Sequence, residues 1–215
     1  MPFKTKIRPC PLITTAIPPS LCQHAEGEPE QFVQAAIKAG LTEYGISDHA
    51  PAKPEPFDDW ITLSDWDFDN PAWLEKWAKT DANDAWDRYW KTYANMAESG
   101  LFDILGHPDL IKKFGYKPAG DLRRFYEPVV DAIAATGCAI ELNTAGWHKP
   151  CKKAYPEIDF LDLAFSAGIP LVISSDAHHP SEVARDFDQA IELAKQAGYT
   201  NTLLFDQYQR SFEAL

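Results

Sequence analysis

Imidazole, carboxylate and amide side chains recur where short apolar stretches of this sequence end. Each stretch is predicted as a β-strand, and its polar residues are Asp48 and His49 of "YGISDH", His107 of "DILGH", Glu141 and Asn143 of "AIELN", and Asp176 and His178 of "LVISSDAH". In parallel α/β folds, the carboxyl ends of the strands converge on one face. We therefore expect these side chains to meet in space.

A cluster of this composition suits a divalent metal ion, because imidazole nitrogen binds zinc, iron and manganese while carboxylates balance the charge. A single strand-end histidine is more often a hydrogen-bonded turn residue, but three on one face favour metal ligation. His179 would face away from His178 if extended geometry persists, so it is not expected to be a ligand. A serine nucleophile at Ser174 or Ser175 with Asp176 is disfavoured, because no GxSxG turn occurs.

Helical patterns separate the predicted strands. One helix begins at Pro29 and stops at Gly40, and others are predicted over residues 122–133, 157–167 and 183–194, before "NTLLFD". Another helix, closed by Gly100, carries a face predicted as core: Trp86, Tyr89, Trp90, Tyr93, Met96 and Ala97. Residues 50–80 lack a period and are predicted as a long loop. The alternation implies parallel βα units, hence an α/β barrel or an open doubly wound sheet.

The composition narrows the class of protein. With 215 residues, of which 45% are hydrophobic, the chain can form one domain over residues 1–215. Its net charge of −12 opposes binding to nucleic acid. Four cysteines without a CxxC pair indicate reduced thiols, and no apolar run reaches membrane-spanning length, so we expect a cytoplasmic protein without a membrane partner. The sequence leaves the oligomeric state open.

Several stretches together resemble the PHP-domain metal-dependent phosphoesterases, and within them the histidinol-phosphate phosphatases. They are "LCQHAEGEPEQFVQAAIKAGLTEYGISDHAP", "DWDFDNPAWLEKW", "AESGLFDILGHPDLIKKFGYKP", "IELNTAGWHKP", "AYP" and "GIPLVISSDAHHPSEV". The resemblance covers most of the chain in the family's order. It implies a distorted (β/α)7 barrel as a single PHP-like domain, with a cluster of usually three divalent ions, zinc, manganese or iron, at the strand ends.

The same resemblance implies roles for individual residues. His24, His49 and His178 resemble the three histidines that hold one metal ion. His107 resembles a ligand of a second ion and Asp176 a ligand of a third, so Asp176 and His178 are also expected to be catalytic. The resemblance also implies that Lys149 and His148 contact the substrate phosphate. His148 stands where the family usually has an arginine.

Two departures from the family pattern bear on the metals and on the barrel. Ala16 and Pro18 stand where the family carries the HxH pair of its first strand. Residues 52–63 replace a longer family segment that holds two strands, a metal-bridging Glu and another His. One metal site is therefore complete and two are depleted, and the barrel is expected to be incomplete, with missing strands.

The resemblance implies a metal-dependent phosphomonoesterase that hydrolyses L-histidinol phosphate to L-histidinol and phosphate, a late step of histidine biosynthesis. Metal ions would bind the phosphate oxygens and lower the pKa of a water, so that hydroxide attacks phosphorus in line. Because ligands are missing, we expect lower activity than in an intact relative. The alternative is a degenerate PHP domain that binds metal or acts as a regulatory protein. A sequence that lacks coding segments would carry the same two departures.

Overall fold

The computed structural model describes residues 12–15, 25–41, 43–47, 71–207 and 209–215. Its strands are β1 (Leu12–Thr15), β2 (Tyr44–Ser47), β3 (Ile104–Leu105), β4 (Ala139–Asn143), β5 (Leu171–Ser174), β6 (Asn201–Asp206) and β7 (Gln209–Ala214). Its α-helices are α1 (Pro29–Ala39), α2 (Leu74–Trp77), α3 (Ala82–Glu98), α4 (Arg123–Thr136), α5 (Ile158–Ser166) and α6 (Phe187–Gln196). Single 3-10 turns occupy Pro71–Trp73, Leu110–Lys112, Thr144–His148 and Pro180–Glu182.

Five strands form one parallel sheet in the order β2-β1-β5-β4-β3. The register pairs Leu12 with Tyr44 on one side of β1 and with Ile173 on the other. The parallel α/β architecture predicted from the alternation is confirmed. Within the described ranges β2 and β3 remain at the two edges of the sheet, so the barrel implied by the family resemblance is not closed there. Residues 52–63, where the family has two more strands, lie outside these ranges.

Local sequence signals explain where the helices begin and end. Pro29 occupies the first turn of α1, the Glu28 backbone N–H donates to Gln31 Oε1 at 2.7 Å, and Gly40 ends the helix with a left-handed φ of 79°. Asp81 caps α3 by accepting hydrogen bonds from the N–H groups of the next turn. These ends agree with the predicted helices to within a few residues.

The aromatic face of α3 lies in the core. Trp86, Tyr89, Trp90, Tyr93 and Ala97 are buried, whereas Met96, also predicted there, is partly exposed. The Trp90 ring stacks on Phe160 of α5 at a centroid distance of 5.2 Å, and Tyr126 of α4 meets both rings edge-on. Three helices are thus joined by aromatic contacts, each of which adds about 1 kcal/mol to area burial. The interpretation of this helix as core, not as a binding stripe, is confirmed.

The remaining differences lie in connections and at the last hairpin. Part of the predicted loop 50–80 is helical, because Pro71–Trp73 and α2 lie within it. The helix predicted from residue 183 begins at Phe187, after a turn. Strand β7 was not predicted, and it pairs antiparallel with β6. No helix within the described ranges is long and apolar enough to cross a membrane.

Candidate functional site at the strand carboxyl ends

Glu141 of β4 lies at the centre of the polar cluster. Its side chain is 6% exposed, and its Oε2 accepts hydrogen bonds from the His107 backbone N–H at 2.5 Å and from Asn143 Nδ2 at 3.1 Å. A buried carboxylate is stable only where hydrogen bonds or cations compensate for its lost hydration. Glu141 therefore joins the end of β3 to the end of β4, and it was predicted as a cluster member from its strand-end position.

The charge balance around Glu141 favours a cation. Burial raises the pKa of the Glu141 carboxyl, and the negative charge of Asp176 raises it further, while His107 opposes both. Two carboxylates that lie within electrostatic reach destabilise each other's ionised form. A positive charge placed between them would relieve this repulsion, as a divalent metal ion does in proteins.

The segment after β5 orients His178 and Asp176. His178 Nδ1 lies 2.8 Å from the Asp176 carbonyl oxygen and 3.9 Å from Asp176 Oδ1. When Nδ1 donates its proton to a carbonyl, the lone pair is on Nε2, which is the arrangement that protein metal sites use to fix a histidine ligand. Glu182 Oε2 accepts a hydrogen bond from the His178 backbone N–H at 2.9 Å, so the backbone is held as well.

Strained backbone accompanies both clustered strand ends. His107 has φ of 29° and Asp176 has φ of 47°, values in the left-handed region that non-glycine residues rarely adopt. Such conformations persist where the surrounding contacts over-determine them, and they concentrate at functional sites. One hydrogen bond therefore holds His107 against Glu141, and separate contacts hold His178 against Asp176.

The other predicted site residues are placed differently. His148 Nε2 lies 2.5 Å from Asp186 Oδ2, and Lys149 ends the 3-10 turn that follows β4. His24 and His49 lie outside the described residues. Glu26 is the second residue after His24, and its backbone N–H donates to the His178 carbonyl at 2.8 Å. His179 accepts the Ser181 N–H at its ring nitrogen and has no such strand-end contact among those described.

A buried ion pair lies below the His107 loop and was not predicted. Lys112 Nζ is 2.5 Å from Asp109 Oδ2, both side chains have 0% exposure, and Glu157 Oε1 lies 3.4 Å from the same ammonium. Burial raises the pKa of Asp109, although the charge of Lys112 opposes this. A charged stretch such as "DLIKK" ordinarily indicates a solvated surface, so its burial is visible only once the fold is known.

Metal ligands are only partly assembled within the described ranges. There, no three His, Cys, Asp or Glu side chains come together as a group that could hold a metal ion. The donor chemistry of His107, Glu141, Asp176 and His178 nevertheless suits a divalent ion. A cavity of about 630 Å³ lies beyond the 3-10 turn after β4, between Trp147, Lys153 and α6, and none of these four residues lines it. The strand-end chemistry is the better indicator of the site.

Known proteins similar to this chain share one activity in their names. No family model matches the chain. A protein of Deinococcus radiodurans named "Probable histidinol-phosphatase" is 30% identical over 237 residues, covering 83% of this chain and 90% of the relative. A protein of Schizosaccharomyces pombe with the same name is 27% identical over 111 residues, which is 48% of this chain and 36% of the relative.

A solved structure supports the fold. Histidinol phosphate phosphatase from Lactococcus lactis, in complex with zinc, L-histidinol and phosphate, has a TM-score of 0.66 and 16% identity. The match covers 93% of this chain and 98% of that one. At this identity the likeness concerns the fold alone. The Deinococcus alignment, at 237 residues, is longer than the 215-residue chain, so that relative has residues without a counterpart here.

Proposed function

The chain belongs to the histidinol-phosphatase family, and from this premise we propose that it hydrolyses L-histidinol phosphate to L-histidinol and phosphate in histidine biosynthesis. The observation that carries the proposal is the group of polar residues at the strand ends. Glu141 links to His107 through a hydrogen bond, the charge of Asp176 acts on the Glu141 carboxyl, and His178 Nδ1 lies 3.9 Å from Asp176 Oδ1. We further propose that the chain is a single PHP-like domain derived from a barrel and acts in the cytoplasm.

The proposed metal ligands are His24, His49 and His178 for one ion, with His107 and Asp176 toward others. Support comes from the Nδ1 contact of His178, from the burial of the Glu141 carboxyl, and from the backbone hydrogen bond between Glu26 and His178. The neighbour from Lactococcus lactis was solved with zinc, which supports zinc ahead of manganese or iron. A bound divalent ion would supply a water of lowered pKa and positive charge for the phosphate oxygens.

The chain's own residues would bind and orient the substrate. Asp176 and His178 are the proposed catalytic residues, because they follow the carboxyl end of β5 and the charge of Asp176 acts on the Glu141 carboxyl. Lys149 and His148 are proposed to bind the substrate phosphate from the turn after β4. Asp186, 2.5 Å from His148 Nε2, would orient that imidazole so that its other ring nitrogen faces a phosphate oxygen.

We propose that this chain binds fewer metal ions than an intact relative and is slower. The support is the sequence, in which Ala16 and Pro18 replace two ligands, together with the residues of the Deinococcus relative that have no counterpart here. A single ion held by three histidines would still supply a water of lowered pKa, but it would supply less positive charge to the attacking and leaving oxygens than several ions.

Metal analysis combined with phosphate release from L-histidinol phosphate tests the proposal. We expect zinc-dependent release that is lost with a chelator, and a metal content below three ions per chain. The Deinococcus relative provides the reference rate. Zinc binding without any phosphate release would contradict the proposal and favour the degenerate, metal-binding alternative.

Two adjacent histidines provide a matched pair of variants. His178→Ala is expected to lower the rate by about 100-fold or more, because loss of even an outer-shell partner of a metal costs 10- to 100-fold. His179→Ala should leave the rate within about twofold, since the described contacts of its ring are with Ser181 alone. Equal losses in the two variants would place the site elsewhere.

A further inference from the structure

We propose that Tyr89 and Tyr93 of α3 are positioning residues that hold His107 in its strained conformation for the reaction. The inference rests on the proposed function in one respect, namely that His107 serves the active site. Neither tyrosine is required to touch the substrate. Their function would be to fix the backbone from which the imidazole projects.

Consecutive carbonyl groups at the end of β3 meet the two tyrosine hydroxyls. Tyr93 donates to the Gly106 carbonyl at 3.1 Å, and Tyr89 donates to the His107 carbonyl at 3.5 Å. The Tyr89 hydroxyl also accepts the Leu110 N–H at 3.2 Å. Tyr89 therefore contacts both the start and the end of the short loop that follows His107.

Hydrogen bonds fix the backbone of His107 at both its N–H and its carbonyl group. Its N–H donates to Glu141 Oε2 at 2.5 Å, and its carbonyl accepts from Tyr89. Between these two contacts φ is 29°, and two residues later Asp109 has φ of 71°. A non-glycine residue adopts such angles only where fixed neighbours outweigh the strain, so these hydrogen bonds are the physical reason for the conformation.

The donors themselves are rigid. Tyr89 and Tyr93 are separated by one helical turn, so both hydroxyls project from the same face of α3. Their side chains are 8% and 6% exposed, and each ring packs edge-on against Trp90 at centroid distances of 5.0 and 5.7 Å. Little side-chain entropy is left to lose when such a hydroxyl binds a carbonyl. A helix packed in the core thereby fixes the position of the loop that carries His107.

The chain contains a closely matched control at the other end of the sheet. Tyr199 is also 6% exposed and also donates to a backbone carbonyl at 3.1 Å, that of Ile169 before β5. Tyr93→Phe and Tyr199→Phe remove the same atom and the same kind of hydrogen bond. They differ in which end of the sheet loses it, so their comparison separates positioning from a general loss of stability.

Hydrogen exchange of the metal-free chain tests the positioning directly. In Tyr89→Phe we expect the Leu110 amide, which loses its acceptor, to exchange about tenfold faster, and Tyr93→Phe should also raise exchange around residues 106–110. Tyr199→Phe should leave this segment at the wild-type rate. Wild-type exchange in both Tyr89→Phe and Tyr93→Phe would overturn the inference, whatever the activity of the chain.

Zinc affinity and turnover give the functional readout, with His107→Ala as the reference. We expect Tyr89→Phe to weaken zinc binding, measured by chelator competition, and to lower kcat by about tenfold with little change in KM. Tyr199→Phe should change neither. If Tyr89→Phe matched Tyr199→Phe in zinc affinity and kcat, the tyrosines would be structural only. A wild-type chain that binds no zinc and releases no phosphate would contradict the proposed function, and the exchange data would then decide the positioning alone.

Discussion

The two ends of the parallel sheet solve the same geometric problem with different residues. Before β4 and β5 the chain turns into the strand through left-handed glycines, Gly137 with φ of 74° and Gly168 with φ of 73°. After β3 and β5 it leaves the strand through His107 and Asp176, whose φ values are 29° and 47°. Glycine adopts this region freely, whereas other residues lose about 1–2 kcal/mol there.

At one end of the sheet the chain uses glycine, which adopts a left-handed conformation without strain. At the other end it keeps residues with functional side chains although their backbone is strained. At the amino ends, a turn is all that is required, and glycine provides it. At the carboxyl ends, an imidazole and a carboxylate are retained although their backbone is strained. Strain held in this way is a mark of a functional site when specific contacts maintain it, as Glu141 does for His107.

The largest expected effect comes from placing glycine at the carboxyl end. Asp176→Gly should relieve the left-handed strain and raise the free energy of unfolding by about 1 kcal/mol, because the Asp176 N–H can still donate to Ser174 Oγ. Phosphate release should nevertheless fall by about 100-fold or more. Urea unfolding and a phosphate assay measure the two quantities. A variant that is both more stable and fully active would remove Asp176 from the site.

A smaller effect is expected when a left-handed glycine at the amino end of a strand is replaced by alanine. A Cβ added at Gly137 meets no atom within 4 Å, so Gly137→Ala measures the cost of the left-handed backbone conformation without a steric clash. We expect it to lower the free energy of unfolding by about 1 kcal/mol without changing turnover. Gln207→Gly, at an exposed residue with φ of 48°, should raise the free energy of unfolding by a similar amount. If both variants changed stability in the same direction, the strain argument would be wrong.

The smallest expected effect is on the pH dependence of the free energy of unfolding. It is tested by comparing an ion pair at the carboxyl end of the sheet with one at the amino end. Burial raises the pKa of Glu157, but the charges of Lys112 and Lys117 outweigh it, so the net pKa is lowered. A lowered carboxyl pKa adds stability above its ordinary value of 4.5 and loses it as the pH falls through the folded value. Glu157→Gln should therefore lower the free energy of unfolding by about 0.5 kcal/mol at neutral pH. The difference from wild type should shrink as the pH falls below 4.5.

An exposed pair at the amino end provides the control for this titration. Arg210 Nη2 lies 2.7 Å from Asp103 Oδ1, where the aspartate side chain is 65% exposed. Exposed pairs contribute little, so Asp103→Asn should change the unfolding free energy only slightly at any pH. Parallel pH profiles for Glu157→Gln and wild type would show that Lys112 and Lys117 do not stabilise the carboxylate.

What the sequence could predict was local. Helix α1 follows from Pro29 and Gly40, and the buried face of α3 follows from its 3.6-residue spacing. The strand-end polar residues were predictable because parallel strands direct their carboxyl ends to one face. His107 is hydrogen-bonded to Glu141 and the charge of Asp176 acts on the same carboxyl, whereas His24 and His49 lie outside the described residues.

What the sequence could not predict depends on contacts between distant segments. The periodic aromatic face of α3 does not indicate that Tyr93 binds the Gly106 carbonyl or that Tyr89 binds the His107 carbonyl. The β7 sequence "QRSFEA" has no alternation, and its pairing with β6 is accompanied by bonds from Arg210 to Gly137 and Asp103. Long-range pairing sets these features, whereas periodicity reports only local structure.

The strand order of the sheet also has a kinetic consequence. Strands β3, β4 and β5 follow one another in both sequence and space, so each new pairing closes a loop of moderate length. Strand β1, by contrast, lies between β2 and β5, and Leu12 pairs with Ile173 from the other end of the chain. Closing so long a loop slows folding, because its entropy is lost before the contact is gained. The β3–β5 half would therefore form first and provide the edge on which β1 and β2 assemble.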